Sequence, residues 1–454
     1  MTRPGFADRL ARRRMTRRDF LWLASVSTAT AVAPALSGCA TSPVTGQPIL
    51  VGMSEQDERA IDQRHAANQF SRDYGVAQDP ALNRYVGDVM GGLAKQSHRP
   101  QMPYSGQVVN ATYVNAYTFP GGSMAATRGI LLEMESEDEL AALLGHELGH
   151  VNARHSAQRA GQSMVASAVV TAATVAVAAA DSRNAGAYAQ LAQLAGSIGS
   201  SALLASYSRD NEREADALGM AYMTRAGYNP KGMVDLMEML NEGHREKPGL
   251  LDTMFSTHPM SDERLASARA SADSTYRAAT GKPVARERYM DETARLRAQK
   301  PAIESFQQGQ RLMQGKKLPD AETAFEAGLA NAPQDYAGLC MMAKCQMAQR
   351  KHGPAREYLQ RARAVYPAEA QAMQLSGISA LALDDYGRAF AELDAYDRRL
   401  PGDPGIAFLK GVSQEGMGNR RAAAQEYARY VRAVPQGTQS QYAAQRLRAW
   451  GYVR

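Results

Sequence analysis

Apolar residues recur along most of this chain with helical spacing. Leu140, Leu143, Leu144, Leu148 and Val151 form an apolar stripe on a segment that opens Glu135-Ser136-Glu137-Asp138-Glu139. Ser136 followed three residues later by Glu139 is a capping box, so a helix starts there. A second polar run, Ser208 to Asp216, opens a helix that Gly227-Tyr228-Asn229-Pro230 stops. From about residue 302 to 437 the pattern repeats with a period of 34. Pro333, Pro367, Pro401 and Pro435 keep that period. So do Ala321, Ala355, Ala389 and Ala423, and the bulky set Phe325, Leu359, Leu393 and Tyr427. Gly309, Gly377 and Gly411 also fall in step, with Ala343 in the fourth place. Each period therefore predicts two closely packed helices, closed by a residue that cannot continue a helix.

This order of small residue, Ala, bulky residue and Pro resembles tetratricopeptide repeats, although the Trp and Tyr of their first helix are absent. Four repeats are expected over 302–437, with a capping helix at 438–452. The resemblance implies a curved solenoid whose concave face binds a protein partner.

Composition changes this picture little, but charge does. The chain has 454 residues, 44% of them hydrophobic, enough for two or three domains. Seven Arg and two Asp within residues 1–38 supply +5 of the net charge of +6. The remainder is nearly neutral, so no nucleic-acid partner is expected. Residues 1–38 read as a targeting peptide, since the apolar run Phe20–Leu36 is too short and too rich in Ala, Ser and Thr for a membrane span. Thr16-Arg17-Arg18-Asp19-Phe20-Leu21 resembles a twin-arginine export signal. Leu36-Ser37-Gly38-Cys39 resembles a bacterial lipobox, which implies that Cys39 becomes the first mature residue and carries lipid. The other reading is an ordinary cleaved signal peptide. Ala40 in place of Asp points a lipoprotein of a two-membrane bacterium to the periplasmic side of its outer membrane. Cys340 and Cys345 lie about 140° apart on a helix, which suits packing and not a disulfide.

The helix with the Leu stripe also carries His146, Glu147 and His150, in the order H-E-x-x-H. Positions i and i+4 lie about 40° apart, so both imidazoles reach one metal ion. One zinc ion per chain would acidify a water, and Glu147 beside it would take the proton. A third ligand is needed. His155 is about 140° round the helix from His150 and reads as structural. Glu212 is the better candidate, and Asp216, one turn on, would hold a ligating His by its other ring nitrogen, although taken alone this polar run reads first as a charged, solvated helix face.

H-E-x-x-H followed by E-x-x-A-D resembles the gluzincin zinc metallopeptidases of the heat-shock-protease and CAAX prenyl protease type. Asn115-Ala116-Tyr117-Thr118-Phe119-Pro120-Gly121-Gly122 and Thr127-Arg128-Gly129-Ile130-Leu131 resemble that family's strand–turn–strand. Thr257-His258-Pro259 with Arg264 resembles its late H-P motif, and the match covers about 50–275. The resemblance implies that His258 approaches the zinc, either as a fourth ligand that keeps the site latent or as a donor to the oxyanion. It implies that Arg264 fixes this loop or shares the oxyanion role. It also implies that the strand at Asn115, Ala116 and Tyr117 is a sheet edge pairing with an extended substrate, the plain reading being an internal strand. The uncharged stretch Met164–Ala180 reads as part of a helical hairpin beside the active site, the other reading being a membrane span.

The expected fold class is α+β: a mainly helical zinc-peptidase domain with a small sheet, then an all-α repeat solenoid. The expected division is a signal peptide at 1–38, a linker at 39–52, the peptidase at 53–290, a helical connector at 291–301 and the repeats with their cap at 302–454. The expected function is a zinc endopeptidase in quality control of unfolded or misassembled envelope proteins, as in a periplasmic branch of the family. The alternative is a chaperone or assembly factor that works through the repeats, with a latent or silent zinc site. An unbroken set that includes the general base Glu147 favours the enzyme.

Overall fold

The structure is a computed structural model that describes residues 38–163, 207–246, 249 and 251–453. Residues 1–37, nearly all of the expected signal peptide, and the stretch Met164–Ala180 lie outside the described residues. The described chain falls into two compact units, one holding 38–58 and 152–163, the other 59–151 and 207–453. The second unit holds both the larger part of the peptidase region and the repeats. Among the described residues no helix is long and apolar enough to cross a membrane.

In the first unit, β1 (Cys39–Thr41) and β2 (Pro48–Leu50) pair antiparallel, Cys39 opposite Leu50. The segment expected to be a linker is thus a hairpin. Its turn is built by Ser42, whose hydroxyl accepts the Val44 and Thr45 amides, and by Gly46 at φ 69°. Gly52 then packs backbone to backbone on the helical residues 155–163, donating to Ala157 O at 2.7 Å. Buried Arg154 closes the unit, with Nε on Glu58 at 2.8 Å and Nη2 on Met53 O at 2.9 Å.

The rest of the chain begins with α1 (Glu55–Arg72) and α2 (Pro80–Ala94), followed by β3 (Ser105–Val109), β4 (Ala116–Thr118) and β5 (Ser123–Thr127). The sheet order is β3-β5-β4, with β3 parallel and β4 antiparallel to β5. Ala66 of α1 packs on Val109, Tyr117, Phe119 and Ala125. The sequence reading carried a strand through Thr127–Leu131, but the strand ends at Thr127 and α3 (Arg128–Glu133) begins. Thr127 is its N-cap, accepting the Ile130 amide on Oγ1, and that hydrogen bond turns the chain out of the sheet.

Helix α4 (Glu137–Asn152) buries its Leu140, Leu143, Leu144, Leu148 and Val151 stripe. Its acidic first turn is also an anchor. Glu137 accepts the Tyr85 and Tyr228 hydroxyls at 3.0 Å, and Asp138 accepts the Asn229 and Ala285 amides at 2.7 and 2.8 Å. Then follow α5 (Arg209–Arg225), α6 (Lys231–Glu246), α7 (Asp252–Thr257), α8 (Asp262–Asp273), α9 (Arg286–Glu292) and α10 (Ala294–Ala298).

Four helical hairpins and a cap complete the chain: α11 (Lys300–Gln314) with α12 (Leu318–Asn331), α13 (Tyr336–Ala348) with α14 (His352–Val365), α15 (Gln371–Leu381) with α16 (Tyr386–Arg399), α17 (Pro404–Gly416) with α18 (Arg420–Ala433), and α19 (Thr438–Ala449). The 34-residue period has a direct steric meaning. A Cβ added to Gly309, Gly377 or Gly411 would lie 2.5–2.6 Å from Phe325, Leu393 or Tyr427 of the same hairpin. The small residue is where the bulky one lands. Cys340 and Cys345 are buried free thiols.

The first helices of these hairpins meet the chain's own N-terminal half. Arg128 grips Asp335 with Nη1 at 2.6 Å and Nη2 at 3.2 Å. Gln307 donates to Thr112 O at 2.7 Å, and Lys344 donates to the Tyr74 hydroxyl at 3.0 Å. The Ser71 hydroxyl donates to Glu369. The repeats are therefore in contact with the peptidase region.

Candidate metal centre

Three separate elements deliver the candidate ligands. His146 and His150 come from α4, Glu212 from the first turn of α5, and His258 from the residue that ends α7. Ser208 starts α5 through a capping box with Asn211, which fixes where Glu212 emerges. Small residues let α4 and α5 touch backbone to backbone. A Cβ on Gly149 would lie 2.8 Å from Ala215 Cα, and one on Gly219 would lie 2.7 Å from the His146 amide nitrogen.

His146, His150, Glu212 and His258 form one buried group whose potential ligand atoms all lie within 4.8 Å of one another. The closer distances are informative. His146 Nε2 is 3.0 Å from His150 Nε2 and 3.3 Å from His258 Nδ1. Glu212 Oε1 is 3.4 Å from His150 Nε2 and 3.3 Å from His258 Nδ1, and Glu212 Oε2 is 3.6 Å from His146 Nε2. Ligands about 2.0–2.1 Å from a tetrahedral ion are about 3.3 Å apart, so these separations are compatible with such an ion. The tautomer of His146 agrees. Its Nδ1 lies 2.8 Å from Asp216 Oδ1, which leaves the Nε2 lone pair facing the group. His155 is buried but is not one of the four.

Glu147 is 1% exposed, and neither carboxylate oxygen has a hydrogen-bond partner among the described residues. Its nearest charged neighbour is His258, with Nε2 3.6 Å from Oε1. Burial pushes the Glu147 carboxyl above its usual range, against the pull of His258 and His146. Burial likewise drives His150 well below the ordinary imidazole value, the neutral form a metal requires. For Asp216, burial acts upward, but hydrogen bonds from His146 and Arg264 outweigh it and hold the carboxyl low.

Arg264 is bonded mainly to Asp216. Its Nε and Nη2 each donate to Asp216 at 2.7 Å, and Nη1 donates to Pro259 O at 2.9 Å. Nη1 also lies 2.7 Å from Glu212 Oε2, an ion pair without hydrogen-bond alignment. Of the two roles expected for it, these hydrogen bonds suit a loop anchor. At β4, Asn115 exchanges backbone and side-chain hydrogen bonds with Thr127 on β5. By strand alternation Ala116 then turns its backbone away from β5. β4 is an edge of the three-stranded ladder, yet Ala116, Tyr117 and Thr118 are all buried. Cys39 is exposed at the start of β1.

The sequence reading missed Tyr207. Its ring stacks on His150 at 3.8 Å between centroids and 23° between planes. Its only sequence signal is its place just before the Ser208 cap. It also missed the Gly145, Gly149, Ala215 and Gly219 contact, which the i, i+4 spacing of small residues on both helices announces.

A model of peptidase family M48 matches residues 80–272, a span that encloses every residue of this centre. Residues 80–272 are a peptidase family M48 domain. The chain carrying this M48 domain is similar to the beta-barrel assembly-enhancing protease of Escherichia coli (strain K12), 28% identical over 203 residues, covering 44% of this chain and 40% of that one. It is similar to the beta-barrel assembly-enhancing protease of Yersinia pestis, 27% identical over 241 residues, covering 49% and 46%. It is also similar to a mitochondrial metalloendopeptidase of Schizosaccharomyces pombe, 30% identical over 203 residues, covering 44% and 57%. The chain thus spans less than half the length of the two assembly-enhancing proteases. Among solved structures, a tetratricopeptide-repeat protein with a peptide-binding site is similar at 16% identity and a TM-score of 0.31, covering 46% of this chain and 99% of that one. The repeat architecture of this chain rests on its period and packing.

Proposed function

We propose that this chain is a zinc endopeptidase of the bacterial cell envelope, acting on unfolded or misassembled envelope proteins. The observation that carries the reading is the convergence of His146, His150 and Glu212 beside a buried Glu147 with no hydrogen-bond partner among the described residues. Two imidazoles and a carboxylate are a donor set suited to zinc. A zinc ion held by His146, His150 and Glu212 would supply Lewis acidity toward a substrate carbonyl and a water. Glu147, its proton affinity raised by burial, would accept a proton from the attacking water and pass it to the leaving amine. Asp216 holds the His146 ring through Nδ1, and Arg264 holds Asp216.

His258 supports a latent form of this enzyme. Its Nδ1 points at the ligand group from 3.3 Å, where it would occupy the position a substrate carbonyl needs. Latency also suits a protein that folds before export. An extended substrate would add to β4 at Ala116, and Cys39 would carry the lipid that tethers the chain to the outer membrane. The repeats would recruit the client or a partner protein.

The test is cleavage of casein by the purified protein beside Glu147→Gln and His258→Ala, with zinc content measured for each. Cleavage abolished in Glu147→Gln with zinc retained supports the enzyme, and a gain in His258→Ala supports latency. Zinc bound by all three with no cleavage by any would turn the reading to the chaperone.

A further inference from the structure

Tyr207 sits where the three ligand-bearing elements meet. Its ring is stacked on the His150 imidazole, and its centroid lies 5.6 Å from that of His258. Its backbone amide donates to Thr257 O at 3.1 Å, next to His258. The following residue, Ser208, is the cap that starts the Glu212 helix. One residue thus touches His150 with its ring, the His258 turn with its amide and the Glu212 helix through the chain. The side chain is 8% exposed, so the stack is shielded from water.

A metal-ligating imidazole must keep its ring plane aimed at the ion, and His146 is aimed by Asp216. An aromatic face at stacking distance can do the same for His150, since rotation of the imidazole would break the stack. We propose that Tyr207 is a positioning residue of the metal centre: its ring fixes the plane of His150, while its amide ties the His258 turn to the start of the Glu212 helix. This rests on the metal reading above and adds a requirement to it. The part of the side chain that the stack uses is the aromatic ring.

The test uses the purified full chain and zinc alone, with affinity measured by competition against a chromophoric chelator. Tyr207→Phe should bind zinc as tightly as wild type. Tyr207→Leu should bind about 10- to 100-fold more weakly, the range typical for loss of a group that orients a ligand. Cobalt-loaded protein should give the same visible spectrum for wild type and Phe, and an altered one for Leu. Melting of the metal-free proteins separates a folding defect from a metal defect. If Leu does not fold, Tyr207→Met and Tyr207→His carry the same comparison of aliphatic with aromatic. Equal zinc affinity in the aliphatic variant and wild type overturns the proposal, as does a Phe variant as weak as the aliphatic one. A wild-type chain that takes up no zinc would instead overturn the metal reading, and this inference with it.

Discussion

Gly219 of α5 lies against His146 of α4 so closely that a Cβ on the glycine would sit 2.7 Å from the histidine's amide nitrogen. Contact at that distance is what allows Glu212, two turns earlier on α5, to reach the same point as His146 and His150. The distance between two helix backbones thus sets the geometry of the centre.

Gly219→Ala should therefore push α5 away from α4. Overpacking of this kind costs about 1–3 kcal/mol, and backbone cannot yield as a flexible side chain can. Thermal denaturation should show the lower stability, and zinc titration should show weaker uptake than a Gly→Ala change at exposed Gly353. Equal stability and equal uptake would mean that α5 can shift without moving Glu212.

Arg264→Gln tests whether this side chain anchors the centre. The substitution leaves Asp216 and Glu212 buried with less compensation, so zinc affinity should fall by about 10- to 100-fold. An oxyanion donor would behave differently, lowering turnover with zinc binding intact.

Arg128 and Asp335 form a buried pair between the peptidase region and the second hairpin, with side chains 6% and 4% exposed. Asp335 also caps α13 through the Gly338 amide. Asp335→Ala leaves a buried cation unpaired and should cost about 3–5 kcal/mol in urea denaturation. Arg128→Met with Asp335→Leu should recover much of that loss, because no charge is stranded.

Lys410 of α17 meets Asp394, Asp397 and Glu426 at 2.8, 3.0 and 3.2 Å. Its hydrogen bond holds the Asp394 carboxyl below the usual range. A lowered carboxyl contributes stability above its unfolded value of about 3.9, and that contribution is lost as pH falls through the folded value. Lys410→Met should then melt below wild type at neutral pH, and the gap should narrow below about pH 4. Melting curves from pH 7 to 3 provide the check, and a gap independent of pH would remove Asp394 from the account.

The 34-residue period, the capped helix and the H-E-x-x-H spacing were legible because each is a local rule. A period reports which positions face a neighbouring helix, and i, i+4 places two imidazoles on one face whatever surrounds them. Helical angle spoke against His155, while Glu212 stood out only once E-x-x-A-D was set beside H-E-x-x-H, and the structure gathers His146, His150, Glu212 and His258 into one group. Thr127 shows where local reading stopped. Its residues suit a strand, but one side-chain hydrogen bond to Ile130 turned the chain into a helix. The linker at 39–52 became a hairpin for a similar reason, through a Ser42 turn that composition does not mark.

By itself the sequence marked candidate metal ligands, a candidate proton carrier and the period of the helical hairpins, because those depend on side-chain chemistry and local spacing. Only the tertiary structure decided that Arg264 serves Asp216, that Tyr207 stacks on His150, and that the repeats dock on the chain's own peptidase region through Arg128 and Asp335. Each of these joins residues far apart in the chain, and such pairings depend on how elements pack, which no local pattern encodes.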